Sequence, residues 1–73
     1  MNRYKITYNG KTVTRRGENA EDAIDRLCDQ YGWRYRLNQY DADTRGDEWA
    51  EFSVDTDGGI NWNMTILAEK EEP

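Results

Sequence analysis

The first sixteen residues alternate apolar and polar positions on either side of one tight turn. Ile6 and Tyr8 alternate with polar neighbours, which is the period-two pattern of a half-buried strand. Asn9 and Gly10 follow, and this dipeptide best tolerates the positive φ angles of a type I′ turn. The chain is therefore predicted to open with a β-hairpin whose two-residue loop places Ile6 opposite Val13.

A second pattern, with the period of an α-helix, begins after Asn19. Apolar residues recur at helical spacing from Ala20 to Tyr31 and form one stripe along three turns. Asn19 is a preferred N-cap residue, and Asp22 lies where a capping box places its second partner. Gly32 suits the left-handed residue that commonly ends a helix. One amphipathic helix is predicted over residues 20–31.

Alternating segments return after the helix. They predict a third strand over residues 33–38, a fourth over residues 50–54 and a fifth over residues 60–66. Residues 41–47 lack apolar periodicity and predict an exposed loop, and residues 56–59 predict a turn.

The order β-β-α-β-β-β predicts an α+β fold, an antiparallel sheet with the single helix packed on one face. A chain of 73 residues is one domain, and its three Trp, five Tyr and one Phe supply the large side chains that a small core needs. The domain is predicted to span residues 1–68 and to be followed by a charged tail over residues 69–73.

Residue types that commonly carry catalysis are scarce. The chain has no histidine, so the usual general base and the commonest metal ligand are missing. Cys28 is the single cysteine and lies on the apolar stripe of the helix, which favours a core position. Asp41 and Asp43 superficially resemble the start of a calcium-binding loop, but Arg45 stands where that loop needs an oxygen ligand. We therefore expect neither an enzyme, nor a cofactor, nor a metal site.

No apolar run is long enough to span a membrane, and Met1-Asn2-Arg3 does not lead into the apolar region of a signal peptide. The protein is expected to be intracellular, without membrane association.

Charge is distributed unevenly along the chain, whose net charge is −5. Residues 1–16 carry five basic residues and no acidic one, while residues 17–73 carry five basic and all fifteen acidic residues. The predicted hairpin is thus a basic corner on an acidic domain. Such asymmetry indicates which kinds of molecule the protein binds, and it says little about how the chain folds.

Two interpretations of this charge remain open. In the first, acidic residues of the helix and of the following loop bind a basic patch on another protein, in a groove that normally holds phosphate. The candidate residues are Glu21, Asp22, Asp25, Asp29, Asp41, Asp43, Asp47 and Glu48. A solvated surface that only keeps the protein soluble is the simpler explanation of the same residues.

In the second interpretation, basic residues bind nucleic acid directly, with bases stacking on nearby tyrosines such as Tyr4, Tyr8 and Tyr35. The candidate residues are Arg3, Lys5, Lys11, Arg15, Arg16, Arg34 and Arg36. The acidic remainder of the chain opposes this interpretation, because it would repel a polyanion.

A short hairpin followed by an Asn-Ala-Glu-Asp-Ala-Ile helix, within an acidic chain of this length, resembles small proteins encoded by phages and conjugative elements. That group includes inhibitors of host RNA polymerase and anti-CRISPR proteins. The resemblance covers roughly residues 4–31 and transfers no functional residue. It implies a non-catalytic regulator of a nucleic-acid enzyme in the cytoplasm of a bacterial host. A structural or assembly protein of a phage or mobile element is a further alternative.

Overall fold

A computed structural model describes residues 1–71 and shows the predicted α+β fold. The strands are β1 (Asn2–Tyr8), β2 (Lys11–Gly17), β3 (Arg34–Tyr40), β4 (Trp49–Asp55) and β5 (Met64–Lys70), and the helix α1 spans Ala20–Tyr31. All neighbouring strands are antiparallel, in the order β2-β1-β5-β4-β3. The chain therefore leaves one edge of the sheet through α1 and returns to form the opposite edge.

The hairpin has the predicted turn and register. Asn9 and Gly10 have φ angles of 52° and 73°, and Ile6 pairs with Val13. The helix also has its predicted limits. Asn19 accepts a hydrogen bond from the backbone nitrogen of Asp22 at 2.8 Å, and Gly32 ends the helix with φ of 72°. These local signals were sufficient because a turn or a cap is decided by a few adjacent residues.

The core lies between α1 and one face of the sheet. Apolar residues of the helix pack there against alternate residues of the three central strands. The fully buried side chains include Tyr4, Ile6, Ile24, Leu27, Phe52, Val54 and Ile66. Cys28 is buried among them, as predicted. Its burial, and to a smaller extent the negative charge of nearby Asp25, raise the pKa of its thiol to about 11.

The fifth strand begins later than predicted, at Met64 instead of Ile60, and it continues to Lys70. Ile60 and Trp62 lie instead in the loop between β4 and β5, because Asp55 folds that loop back on itself. The predicted tail is shorter because residues 69 and 70 complete β5, where they pair with Lys5 and Tyr4 of β1. The backbone nitrogen of Glu71 then donates to the backbone oxygen of Arg3. The remaining residues of the predicted tail, 72–73, lie outside the described part of the chain.

Asp55 is the only charged residue that is buried within the described chain. Its carboxylate accepts hydrogen bonds from the backbone nitrogens of Asp57 at 3.3 Å and Ile60 at 2.9 Å. The carboxylate thus organises a loop in which Ile60, a β-branched residue, has φ of 54° and a side chain that is 64% exposed. Burial by itself raises the pKa of Asp55, but hydrogen bonds from residues 57, 60 and 61 outweigh burial and lower it.

Because the pKa of Asp55 is lower in the folded than in the unfolded protein, its ionised form stabilises the fold at neutral pH. That stabilisation is present above about pH 4 and is lost as pH falls through the lowered pKa. We expect Asp55→Asn to lower the free energy of unfolding at pH 7 and to weaken its decrease between neutral and acidic pH. Urea denaturation over this pH range measures both effects. Asp43→Asn, at an exposed loop position, is the control, and equal pH profiles for Asp55→Asn and wild type would contradict the assignment.

Candidate functional site

Three of the predicted acidic residues form a row along the outer side of α1. Glu21, Asp25 and Asp29 are spaced four residues apart, so they follow one another on neighbouring turns. The hydroxyl of Tyr35 in β3 donates to Asp25 at 3.1 Å and lies 3.5 Å from Glu21. The first two carboxylates therefore flank the side of the helix that faces β3. Asp29 is exposed near the C-terminal end of the helix and pairs with no basic residue among residues 1–71.

The environment of Tyr35 reflects these carboxylates. Burial, and then the hydrogen bond and charge of Asp25 together with the charge of Glu21, raise the pKa of the Tyr35 hydroxyl. Tyr35 consequently stays protonated and remains a donor to the acidic row. Its ring also meets Phe52 edge to face, at 5.6 Å between centroids, which anchors the hydroxyl to the core.

Asp22 belongs to the helix start. Its carboxylate accepts a hydrogen bond from the backbone nitrogen of Glu18 at 2.9 Å and forms an ion pair with Arg26 at 3.2 Å. The hydrogen bond from Glu18 is the main cause of its lowered pKa, although the slight burial of the carboxylate acts in the opposite direction. Asp22 thus has a capping role that accounts for it without a partner protein.

Two acids of the loop between β3 and β4 also have internal partners. Asp41 accepts hydrogen bonds from the backbone of Asp43 and the hydroxyl of Thr44, as in an Asx turn. Asp47 pairs with Lys70 at 3.0 Å, and its backbone oxygen accepts a 2.6 Å hydrogen bond from the buried Tyr4. These contacts attach the loop to the ends of β1 and β5.

The side chains of the other two loop acids, Asp43 and Glu48, make no hydrogen bond or ion pair within residues 1–71. Asp43 is exposed and Glu48 is half-buried. Of the eight predicted acidic residues, six have no basic partner in the described chain, and one of these, Asp41, accepts hydrogen bonds from its own loop. The other five are Glu21, Asp25, Asp29, Asp43 and Glu48.

The loop meets the first turn of the helix and closes one end of a cleft. The backbone nitrogen of Ala20 donates to the oxygen of Gly46 at 3.3 Å, so the helix start and the loop are joined directly. Between α1 and β3 lies an open cleft of about 430 Å³, lined by Asn19, Glu21, Leu37, Tyr40, Ala42, Arg45, Gly46 and Ala50. Leu37 and Tyr40 are 44% and 48% exposed in it. We call this the α1–β3 cleft.

Sequence reasoning did not identify Leu37 or Tyr40 as surface residues. The alternation of β3 places Leu37 on the same side as the half-buried Tyr35, which is the side that faces the helix. The side on which Tyr40 lies also could not be predicted from alternation. Gln39 rather than Asn38 pairs with Glu51 because β3 has a bulge, and the bulge turns Tyr40 to the helix side. The edge position of β3 explains the exposure of both residues, and strand order was not available from the local pattern.

The predicted basic residues do not form one patch. Arg34 and Arg36 lie on β3, at the edge of the sheet opposite to the hairpin, about 14 Å from β1 if each strand spacing is about 4.8 Å. The structure therefore does not bring Arg34 and Arg36 together with the basic residues of the hairpin. Arg36 lies over the ring of Trp62, 4.8 Å from its centroid, in a cation–π contact.

The hairpin basics themselves are divided between the two faces of the sheet. Alternation puts Lys11 and Arg15 on the helix side and Arg3, Lys5 and Arg16 on the other. Arg15 donates to Gln30 of the helix at 2.9 Å, and Arg3 lies 3.9 Å from Glu71. This division gives a polyanion no continuous basic track along the hairpin.

The tyrosines proposed to stack on bases are also placed differently. Tyr4 is fully buried and Tyr8 nearly so, and Tyr35 is held by the acidic residues of the helix. Tyr31, 51% exposed, stacks on Trp33 at 4.7 Å near the hairpin turn. This stack and Tyr8 form one wall of a second open cleft, of about 320 Å³, at the end of the sheet opposite to the acidic loop.

Neither family models, nor curated proteins, nor solved structures match this chain. No helix among residues 1–71 has the length and apolar character needed to cross a membrane. The arrangement of the acidic residues therefore has to be interpreted from its own physical chemistry.

Proposed function

We propose that this chain is a non-catalytic protein-binding modulator that occupies a basic surface on a nucleic-acid enzyme. The proposal extends the resemblance of its hairpin and helix to small regulators from phages and mobile elements. The target enzyme would be a host RNA polymerase or a CRISPR effector. The contact surface is the acidic row of α1, defined as Glu21, Asp25 and Asp29, with Asp43 and Glu48 beside it.

The observation that carries the proposal is the lack of compensation in the acidic row. Like charges four residues apart destabilise a helix by about 0.2–0.5 kcal/mol per pair. Asp22 on the same helix has Arg26 as its partner, and Asp47 has Lys70. The acidic row has no basic partner within residues 1–71, so no internal ion pair offsets the repulsion between its charges.

A row of carboxylates suits a site built for phosphates because both present negative charge at regular intervals. The three residues span about 12 Å along the helix, given a rise of about 1.5 Å per residue. A net charge of −5 would also steer the protein towards a basic groove and accelerate association at low ionic strength.

The proposal predicts that neutralising the acidic row removes partner binding without harming the fold. The test variant is Glu21→Gln/Asp25→Asn/Asp29→Asn, used as bait beside wild type in affinity capture from bacterial lysate with quantitative mass spectrometry. We expect a nucleic-acid enzyme to be enriched by wild type, to be displaced by added duplex DNA, and to fall about tenfold or more with the variant. Thermal stability should be unchanged or slightly higher, since repulsion is relieved.

The matched control is Glu18→Gln/Glu51→Gln/Asp57→Asn, which changes net charge equally but leaves the acidic row intact. It should capture the same enzyme as wild type does. Equal losses in both triple variants would show that only net charge matters, and equal capture by all three baits would exclude the row as an interface. Direct binding of a labelled oligonucleotide, sensitive to Arg15→Ala/Arg16→Ala at low salt, would favour the basic hairpin instead.

A further inference from the structure

We infer that the α1–β3 cleft binds an extended segment of the partner protein, with an apolar side chain of that segment seated on Leu37 and Tyr40 and an adjacent lysine or arginine beside Glu21 and Asp25. This inference rests on the proposed function and specifies the partner's chemistry. It also adds contact residues that charge alone does not indicate.

The floor of the cleft is apolar and uncovered. Leu37 and Tyr40 lie on the helix side of β3, where a core residue would be expected, yet nearly half of each side chain is exposed. Ala42 is exposed and extends the same surface, and the buried Ala50 lies beneath it. Single exposed apolar residues are ordinary, but a group of them in one concavity characterises binding sites.

The helix leaves this floor uncovered because of where it lies. Gln30 of α1 meets Arg15 of β2, at the far edge of the sheet, while on β3 the hydroxyl of Tyr35 donates to Asp25 of the helix. One helix spans less than the width of five strands, since a helix is about 10 Å wide and five strands extend over about 19 Å. The second half of the other edge strand, from Leu37 to Tyr40 of β3, is therefore only partly covered.

The walls of the cleft differ in charge. Glu21 lines the helix side of the cleft, and Asp25 lies one turn further along α1, where it accepts a hydrogen bond from the hydroxyl of Tyr35. Arg45 lines the loop end and is a non-glycine residue with φ of 55°. A segment whose basic residue lies towards the helix is therefore attracted, whereas one with a basic residue at the loop end is opposed by Arg45.

An extended segment suits this cleft because β3 is an edge strand. Its outer backbone groups have no neighbouring strand among residues 1–71, and such an edge can pair with another chain. The bulge between Leu37 and Gln39 interrupts a regular ladder, so only a few backbone bonds can form. Specificity then comes from the side chains on the apolar floor. The cleft volume of about 430 Å³ is sufficient for one large apolar side chain and its neighbours.

The test uses uniformly ¹⁵N-labelled full-length protein and a synthetic nine-residue peptide with a central leucine flanked on each side by two lysines. We expect the peptide to shift the backbone amides of residues 19–25 and 36–46 in two-dimensional NMR spectra. Peptides with a central glycine, or with glutamates in place of the lysines, should bind at least about tenfold more weakly. Shifts confined to the hairpin end, or equal binding of all three peptides, would overturn the inference.

Variants then separate the apolar floor from the charge. Leu37→Ser/Tyr40→Ser should weaken the lysine–leucine peptide about tenfold or more, since it removes both of the large apolar side chains exposed on the cleft floor. Tyr31→Ser/Ile60→Ser removes two exposed apolar side chains elsewhere and should leave binding unchanged. Arg45→Asn should tighten it severalfold, because asparagine tolerates the same backbone conformation without the opposing charge.

The same variants, used as baits against the enzyme captured by wild type, distinguish the two proposals. If the acidic-row variant loses the enzyme and Leu37→Ser/Tyr40→Ser retains it, the cleft inference fails and the proposed function stands. Retention by both variants would contradict both proposals. Loss in both, with retention by Tyr31→Ser/Ile60→Ser, is the expected result.

Discussion

Replacing Gly17 by alanine is expected to destabilise the protein by about 3 kcal/mol, the upper end of the range for overpacking. Gly17 is buried at the end of β2, against the first turn of α1. A Cβ atom there would lie 2.5 Å from the backbone nitrogen of Ala23, 2.9 Å from its Cα and 3.0 Å from the oxygen of Asn19. These are all backbone atoms, so no rotation of a side chain relieves the clash, and the helix must move away from the sheet.

Thermal unfolding followed by circular dichroism measures this effect as a decrease in Tm of about 12–24 °C. Gly32→Ala is the matched control, since a Cβ at Gly32 meets nothing within 4 Å but the residue has φ of 72°. It should cost only about 1 kcal/mol, which is the strain of a left-handed backbone. Equal losses in the two variants would mean that backbone conformation, and not close approach of the helix, explains the glycine at position 17.

Replacing Phe52 by alanine is expected to cost about 3–5 kcal/mol. Phe52 is fully buried in the central part of the sheet, pairs in register with Ile66, and meets Tyr35 edge to face at an angle of 84°. A domain of this length has a total stability on the order of 4–11 kcal/mol. The substitution therefore removes a large fraction of the stability, and unfolding by urea should show a much lower midpoint or no folded baseline.

Phe52→Leu is the corresponding control, because it keeps most of the apolar volume and should cost no more than about 1.5 kcal/mol. The two variants also bear on the functional proposals. Tyr35 packs on Phe52 and holds Asp25 through its hydroxyl, so a core change at residue 52 can disturb the acidic row without touching it. A small loss for Phe52→Ala, similar to that of the leucine variant, would show that the core contracts around the missing ring.

The elements that could be predicted from the sequence are those specified by adjacent residues. The turn at Asn9 and Gly10 determines the hairpin register, and Asn19 and Gly32 delimit the helix. The fifth strand was misplaced because alternation continues through Ile60 and Trp62 although neither lies in a strand. The buried carboxylate of Asp55 accepts hydrogen bonds from backbone nitrogens of this segment and holds it as a loop. The alternation of apolar and polar residues does not indicate such hydrogen bonds.

The candidate site divides in the same way. The acidic row could be predicted, because helical spacing alone places residues 21, 25 and 29 on neighbouring turns. The sequence could not separate these residues from Asp22, Asp41 and Asp47, whose partners include a strand end and the loop's own backbone. The sequence shows which residues are charged, but only the fold shows which groups form hydrogen bonds or ion pairs with them.

By itself, then, the sequence determined the hairpin, the helix, the β-β-α-β-β-β order and the polarity of charge along the chain. Only the tertiary structure decided that β3 is an edge strand, that α1 leaves Leu37 and Tyr40 of this strand partly exposed, and that both residues lie in an open cleft with Glu21 and Arg45. The physical reason is that strand order and helix position are set by packing between residues far apart in the chain, which hydrophobic periodicity within one segment does not encode.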